Sequence, residues 1–391
     1  MPVNFDYAIL GGGAAGLSLA LAIQRSPLKD KSILIVEKEA RSLHDRNWGF
    51  WTDSPSPFDN IARRVWSRLS FLSETEEGSW DLSPFRYMLV RGLDLYNHVW
   101  AELQKQNVTL LPGSAELVEK EDHVEITVTN PSGTDGEHRE EYSAHFAFDS
   151  RLRLEEMTPG PKYNSLKQHF LGWEVETEKP VFDPRTVTLF DLRTPQQGGV
   201  TFFYTLPFSP SNALIEYTVF SPGLLTTEEY EAALSGHLKE MGAGEYRIVE
   251  AERGVIPMTD QPFARRLGKR TLSIGRRGGR VKPSTGYAFS RIQRDSEQIV
   301  NSLVRFAHPF AIHPDPFRFR LHDSILLELL AKEPDLGRPI LSGIFSKNPI
   351  QRVLKFLDNR SSVIEDLQIM SSNPPGPFLR AIWRKLQAGV V

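Results

Sequence analysis

The sequence predicts an α/β protein, an open and doubly wound parallel sheet interrupted by a β-rich insertion and followed by a helical cap. Three observations predict it. A glycine turn, Gly11-Gly12-Gly13-Ala14-Ala15-Gly16, joins an apolar strand to an apolar helix. Between residues 172 and 256 the pattern changes to alternating strand-like runs separated by turns rich in Pro, Ser and Gly. Past residue 306 it reads as helical, with breaks at Pro309, Pro314, Pro316, Pro339 and Pro349.

The first strand is Tyr7-Ala8-Ile9-Leu10, with Phe5 before it, and the helix runs from Ala14 through Leu17, Leu19, Leu21 and Ile23. A G-x-G-x-x-G turn between strand and helix is the mark of a Rossmann-type dinucleotide site. Gly11 makes the tight turn, Gly13 and the adjoining Ala15 let the backbone approach a pyrophosphate, and Gly16 lets the helix pack close to the sheet. The helix N-terminus adds N–H donors and positive dipole. A second strand, Ile33-Leu34-Ile35-Val36, ends in Glu37, twenty-one residues after Gly16. A carboxylate there accepts the hydroxyls of an adenosine ribose, with Lys38 beside it in the same candidate contact. So early a turn reads as a flavoprotein opening on its FAD site, and the opening residues as a working strand rather than a leader.

The 391 residues suffice for two or three packed units. Charged residues make up 24% and the formal net charge is −3, so nothing suggests a polyanion-binding surface, and nucleic acid is not expected as a partner. The absence of cysteine excludes disulfides, thiol catalysis and Cys-ligated metal, so any redox chemistry must come from a cofactor. No metal site is expected. No apolar run approaches the roughly 18 residues of a bilayer span. The expected location is cytoplasmic, or peripheral on the inner face of the membrane.

Residues 44–51, His44 to Trp51, are dense in aromatics and either fold over the cofactor or fill core. Residues 84–100 read as a turn and then a helix containing Leu89, Leu93, Tyr96 and Trp100. Arg91, in its first half, either reaches a phosphate or lies in solvent. A short strand at 108–111 precedes a β-hairpin over 123–148 that turns at residues 132–136 and delivers Asp149 to the same sheet edge as Gly11, the ligand side of an open parallel sheet.

In the β-rich stretch, residues 200–206 and 213–220 form the clearest strands. A period of two places Glu216 on one face with Leu214, Thr218 and Phe220, and Ala213, Ile215, Tyr217 and Val219 on the other. Both faces are mainly apolar, so Glu216 is a candidate buried carboxylate whose pKa burial would raise, as a proton donor requires. The alternative is an edge-strand glutamate facing water. The chain then returns to the first sheet at 271–275 and enters a loop, residues 275–287, in which Gly275, Gly279, Thr285 and Gly286 are candidate cofactor contacts. Ser284 or Thr285 is expected to cap a helix through Ile292 and Ile299, aiming a second helix N-terminus at the cofactor ring. The resulting division is a discontinuous FAD-binding domain over 1–160 and 262–305, a β-rich substrate domain over 161–261, and a helical cap over 306–391.

In that cap two apolar stripes stand out, Ile325-Leu326-Leu329-Leu330 and Val353-Leu354-Phe356-Leu357. In its last helix Phe378, Leu379, Ile382, Trp383 and Leu386 share a face, with Arg380, Arg384 and Lys385 off it. This is either a membrane-surface helix or a helix docked on the core.

On these motifs the chain resembles the FAD-containing lycopene β-cyclases of carotenoid-making bacteria, from about Phe5 to Leu379. The specific segments are residues 46–51 (RNWGFW), 148–151 (FDSR), 204–209 (YTLPFS), 214–218 (LIEYT), 254–260 (GVIPMTD) and 282–287 (KPSTGY). The resemblance implies a hydroxylase-like flavoprotein of the two-dinucleotide-binding-domain kind, with Glu216 in the place of the catalytic carboxylate. It also implies FAD acting in its reduced form without net redox change, NAD(P)H as reductant, and a peripheral contact with the membrane. Its substrates would be lycopene and the monocyclic intermediate, cyclised through γ-carotene to β-carotene. The chain departs from the family at Gly275-Arg276-Arg277-Gly278-Gly279, where Gly-Thr-Ala-Gly-Gly is expected, and at Asn47 and Gly49, where Thr and Cys are common. The two arginines either neutralise a reduced, anionic ring or point to water.

Protonating a terminal double bond creates a carbocation that water would quench, so such a site must be dry, aromatic and negatively charged. Glu216, a reduced flavin and the rings of Trp48, Trp51, Phe203 and Tyr217 are expected to supply this, with a helix opening at Ser284 holding the flavin anion by its dipole. Two rival readings share the scaffold. One is an FAD-dependent monooxygenase or reductase of an isoprenoid lipid, which consumes NAD(P)H and changes substrate mass. The other is a non-catalytic prenyl-lipid binding protein, which needs no flavin.

Overall fold

A computed structural model describes residues 3–38, 46–130, 138–152, 160, 162–196 and 198–389. The chain opens with β1 (Val3–Leu10), α1 (Ala14–Gln24) and β2 (Ile33–Glu37), then β3 (Asn47–Thr52), β4 (Arg64–Trp66), β5 (Arg68–Leu72) and β6 (Glu77–Asp81). There follow β7 (Arg86–Arg91), α2 (Gly92–Leu103), β8 (Val108–Pro112), β9 (Ser114–Glu119), β10 (Val124–Asn130) and β11 (His138–Asp149). The middle of the chain gives β12 (Ser165–Thr177), β13 (Thr186–Asp191), β14 (Val200–Ser209), β15 (Asn212–Ser221), α3 (Thr227–Glu240) and β16 (Tyr246–Thr259). It closes with β17 (Thr271–Ser273), α4 (Phe289–Phe306), α5 (Phe317–Lys332), α6 (Gly337–Ser346), α7 (Ile350–Leu357), α8 (Val363–Met370) and α9 (Pro375–Gln387).

The first sheet runs β8-β2-β1-β11-β10-β9, with β17 also beside β11. Its strands β8, β2, β1, β11 and β17 are mutually parallel, and β9 and β10 add antiparallel pairing. One face packs Tyr7, Ile9, Ile33 and Ile35 under α1, α2 and α4, and the other buries Ala8, Leu10, Leu34 and Val36 against Val124 and Ile126. Burial on both faces is why β1 and β2 read as unbroken apolar runs. The predicted register holds, with Asp149 opposite Leu10 at the edge where Gly11 begins. The hairpin predicted over 123–148 is β10 and β11; its turn at 132–136 lies outside the described residues, as do His44 and Asp45.

The second sheet runs β16-β12-β15-β14-β13-β5-β6. One face buries Leu166, Phe202, Leu206, Leu214 and Phe220 against the C-terminal helices. The other buries Ile215, Tyr217 and Phe203 against Tyr230, Leu234 and Leu238 of α3. A third, small sheet, β3-β7-β4, carries the aromatic segment.

Three expectations are corrected here. Residues 86–91 form a strand, so the helix expected over 84–100 starts at Gly92 and Leu89 is a strand residue. Strands β5 and β6, within the range assigned to the first domain, pair into the second sheet, β5 running parallel to β13. The range read as strands and turns contains α3, opened by a capping box in which Thr226 and Glu229 satisfy each other's backbone N–H.

Candidate active site

The glycine turn is built as the sequence requires. Gly11 has φ +106°, and a Cβ there would overlap the Ser150 hydroxyl. A Cβ on Gly16 would overlap the Gly11 carbonyl, so α1 leaves the sheet only because that position is bare. Gly13 is the N-cap of α1 with extended backbone, and Ala15 is buried in its first turn. Glu37 ends β2, and its Oε2 accepts the Gly12 N–H at 2.6 Å, which places the predicted ribose carboxylate against the turn. Lys38 follows it, exposed.

The second glycine loop meets the first. Gly275 has φ +57°, and a Cβ on it would lie 2.6 Å from that of Ala15. Gly279 and Gly286 also take positive φ, +70° and +74°. Gly286 sits against Gln168 of β12, which brings the loop onto the face of the second sheet. Thr285 is buried, and its Oγ1 has no partner among the described residues.

Neither Ser284 nor Thr285 caps a helix. α4 opens at Phe289, after an Ala288 N-cap with no side-chain hydrogen bond, so no helix dipole starts at Ser284. Instead Ser284 donates to Asp323 of α5 at 2.6 Å, and the buried Lys282 pairs with the same carboxylate at 2.6 Å and donates to Asn359. The turn is thus clamped to the helical cap. Arg277 is committed to Asp149, which Arg151 also pairs, and Arg276 has accessible surface yet is desolvated enough that burial, and then Arg46, lowers its guanidinium below the ordinary value. Arg91 is the N-cap of α2 rather than a residue within it, and its guanidinium engages Asp94 at 2.6 Å.

The catalytic candidate lies on the second sheet. Pairing registers align Glu252, Gly172, Glu216 and Tyr204 in one row across β16, β12, β15 and β14. Gly172 has no side chain, and a Cβ there would lie 2.8 Å from the Glu216 Cγ and 3.3 Å from that of Glu252. The two side chains therefore converge above it, near enough for each carboxyl to act on the other's titration. Asn47 of β3 donates to Glu252 Oε2 at 2.7 Å.

Tyr204 and Tyr87 join hydroxyls at 2.6 Å, and Trp51 packs edge-on against Tyr287, ring centroids 4.8 Å apart. Burial, and then the neighbouring Tyr87 and Glu216, push the hydroxyls of Tyr204 and Tyr287 far above their ordinary range, so they stay neutral donors. Glu216 is raised well above an ordinary carboxyl, first by burial, then by the Glu252 charge. Its side chain is only partly covered by accessible surface, yet desolvation dominates its titration. This pairing fits a carboxyl on the wall of an interior space rather than one in packed core or bulk water.

Three of the four rings expected there are elsewhere. Phe203 and Tyr217 lie on the opposite face, where Phe203 stacks on His237 at 3.8 Å. The same period of two that turns Glu216 inward turns them away. Trp48 sits on the face of β3 opposite Asn47 and Trp51 and packs on Phe289 in the first sheet's core, while Trp51, against Tyr287, remains with Tyr87 and Tyr204 on the wall. Glu252 and Asn47 are the polar members that local sequence reasoning missed.

A Rossmann-type sheet with paired glycine loops, a β-rich second sheet and a helical cap define a flavoprotein fold. It is similar to the crystal structure of a flavoprotein/dehydrogenase from Cytophaga hutchinsonii, with a TM-score of 0.65 at 13% identity over 95% of this chain and all of that one. The chain belongs to the lycopene cyclase protein family, whose model matches residues 6–383. It is 27% identical over 321 residues to the chloroplastic lycopene beta cyclase of Arabidopsis thaliana, covering 77% of this chain and 60% of that protein. It is 29% identical over 230 residues to the lycopene beta-cyclase of a Paracoccus species, covering 55% of this chain and 58% of that one. The matches thus span about 60% of the length of these relatives.

Proposed function

We propose that this protein is an FAD-dependent lycopene β-cyclase, an isomerase that closes the end groups of lycopene into β-rings through the monocyclic intermediate. The observation that carries the reading is the placement of Glu216 in one row with Glu252, Gly172 and Tyr204 on an aromatic wall, beside the turn that brings Gly286 onto the same sheet face. Gly11, Gly13, Ala15, Gly16, Glu37 and Lys38 would hold the dinucleotide end of FAD, and Gly275, Gly279, Thr285 and Gly286 its ring end. Bare glycines at both loops and the unpartnered Thr285 hydroxyl fit such a ligand. Arg91, already paired with Asp94, would serve a phosphate only by giving up or sharing that partner. When bound and reduced by NAD(P)H, the flavin would supply negative charge beside the cation without being consumed.

The residues of the chain then divide the work. Glu216 gives its proton to the terminal double bond, forming a C–H bond and a tertiary cation. The next double bond attacks that cation to close the ring, and a ring carbon releases a proton to the carboxylate left behind. Trp51, Tyr87, Tyr204 and Tyr287 exclude water and face the cation with their π-electrons. Substrate would enter from a membrane. No helix among the described residues is long and apolar enough to cross one, but Val363, Ile364 and Leu367 of α8 and Leu379, Trp383 and Leu386 of α9 are exposed. We place the protein peripherally, on the cytoplasmic face.

Expression in a lycopene-accumulating host tests the reading. Pigment of unchanged mass and shortened chromophore supports cyclisation. Added oxygen or hydrogen would show a monooxygenase or reductase, and unaltered lycopene with no bound flavin would show a binding protein.

A further inference from the structure

The second carboxyl has a function of its own. We propose that Glu216 and Glu252 act as one pair holding a single proton, with Glu252 a positioning residue whose negative charge, fixed by Asn47, keeps that proton on Glu216. The inference rests on the reading of Glu216 as the acid and deepens it.

Three features point to the pair. Both glutamates face the same glycine, and any side chain at position 172 would crowd the Cγ atoms of both. Their side chains converge above that glycine, and two ionised carboxylates so close in a desolvated space repel each other, so one of them holds a proton. The Asn47 amide donates to Glu252, and donation to a carboxyl oxygen favours its charged form, so the proton resides on Glu216.

The surrounding charges leave this bias in place. Tyr204 faces the pair from β14, Tyr87 from β7 and Tyr287 from the glycine loop, all neutral. Glu174, two residues along β12 from Gly172, is neutralised by Arg63 in a two-bond fork at 2.7 Å. Glu250, two residues along β16 from Glu252, lies opposite Glu174 in the next row, and burial followed by Glu252 is what raises the Glu216 carboxyl. In the reaction the Glu216 O–H bond breaks as the substrate C–H bond forms, and the pair becomes a dianion facing one carbocation. The proton released on ring closure restores the single-proton state, so no oxidant or reductant is used in the step.

The test compares Glu252→Gln with Glu216→Gln, each loaded with FAD, by the pH profile of cyclisation and by infrared detection of the protonated carboxyl. The wild-type protein should show a protonated-carboxyl carbonyl band at neutral pH that Glu216→Gln removes. Removing the Glu252 charge should move the basic limb of the profile at least about one pH unit toward acid, a tenfold change in proton affinity, and weaken the band at neutral pH. If Glu216→Gln is inactive while Glu252→Gln keeps the wild-type profile and band, the pair is refuted and the acid assignment stands. If Glu216→Gln is fully active, the acid assignment itself fails. Should Glu252→Gln not fold, the wild-type protein still decides: no protonated carboxyl at neutral pH overturns the proposal.

Discussion

Replacing Lys385 by methionine separates the two roles that the sequence allows the last helix. Lys385 is 1% exposed and pairs with Asp260, just past the end of β16, and, at 3.8 Å, with Glu328 of α5. Methionine keeps the volume and removes the charge. Breaking a buried pair by deleting one partner costs about 3–5 kcal/mol, because the remaining charge is stranded. Here Glu328 keeps Arg384 at 2.8 Å, and Asp260 keeps hydrogen bonds from Ser324 and the Asn164 backbone. The low end, about 3 kcal/mol, is therefore expected. At about 2 °C per kcal/mol for a chain of this size, the melting midpoint should fall by about 6 °C. Amide exchange over 375–387 should rise with it, while vesicle binding is unchanged. Trp383→Ser should do the opposite, since its side chain is 63% exposed: stability within about 0.5 kcal/mol of wild type but weaker vesicle binding. A Lys385→Met protein within about 1 kcal/mol of wild type, well below the cost of a stranded buried charge, would refute the docking argument.

Glu216→Gln should retain flavin yet lose cyclisation by at least the ~10²-fold typical of a positioned acid; activity within about threefold of wild type would place the proton elsewhere. The same variant should show a stability signature. A carboxyl whose folded pKa is raised above 4.5 contributes stability below that value and loses it as pH rises toward the folded pKa. Glutamine has no such loss, so its unfolding midpoint relative to wild type should be higher at pH 8 than at pH 5, and a constant offset would contradict the raised pKa. Glu37→Ala removes the acceptor for the Gly12 N–H and should lower flavin retained through gel filtration more than it lowers the melting midpoint. Full flavin content would exclude Glu37 as the ribose ligand. Because Arg380 and Arg384 are held by Glu333 and Glu328, vesicle binding should change little between low and high salt; a steep fall would show an electrostatic contact instead.

The first sheet was legible because burial on both faces leaves unbroken apolar runs, and because Gly11 and Gly16 stand where a Cβ cannot. Strand β7 misled for a related reason: its Tyr87-Met88-Leu89-Val90 core is a short run buried throughout, and periodicity alone cannot tell that from a buried helical turn. Strands β5 and β6 alternate polar and covered residues like any half-exposed pair, and nothing local says which sheet they join. Helix α3 was signalled by Thr226 and Glu229 and by Tyr230, Leu234 and Leu238 at helical spacing, a cue lost inside a stretch read for strands.

The site divides along the same line between period and register. Period places Glu216 on one face of its own strand, and applied to Phe203 and Tyr217 it would have removed both from the wall around Glu216. Register, which no single strand carries, decides that Glu252 stands beside Glu216. Glu252 lies on β16, an edge strand with alternating exposure, where a glutamate reads as a solvated charge. What draws it inward is the absence of a side chain at Gly172, which leaves the space between two carboxylates unfilled, and the reach of Asn47 from the third sheet. Each of these three positions is unremarkable in its own segment. They become chemistry only when β12 pairs on both sides at once, since that pairing forces two like charges into one desolvated space where they cannot both remain ionised at low cost.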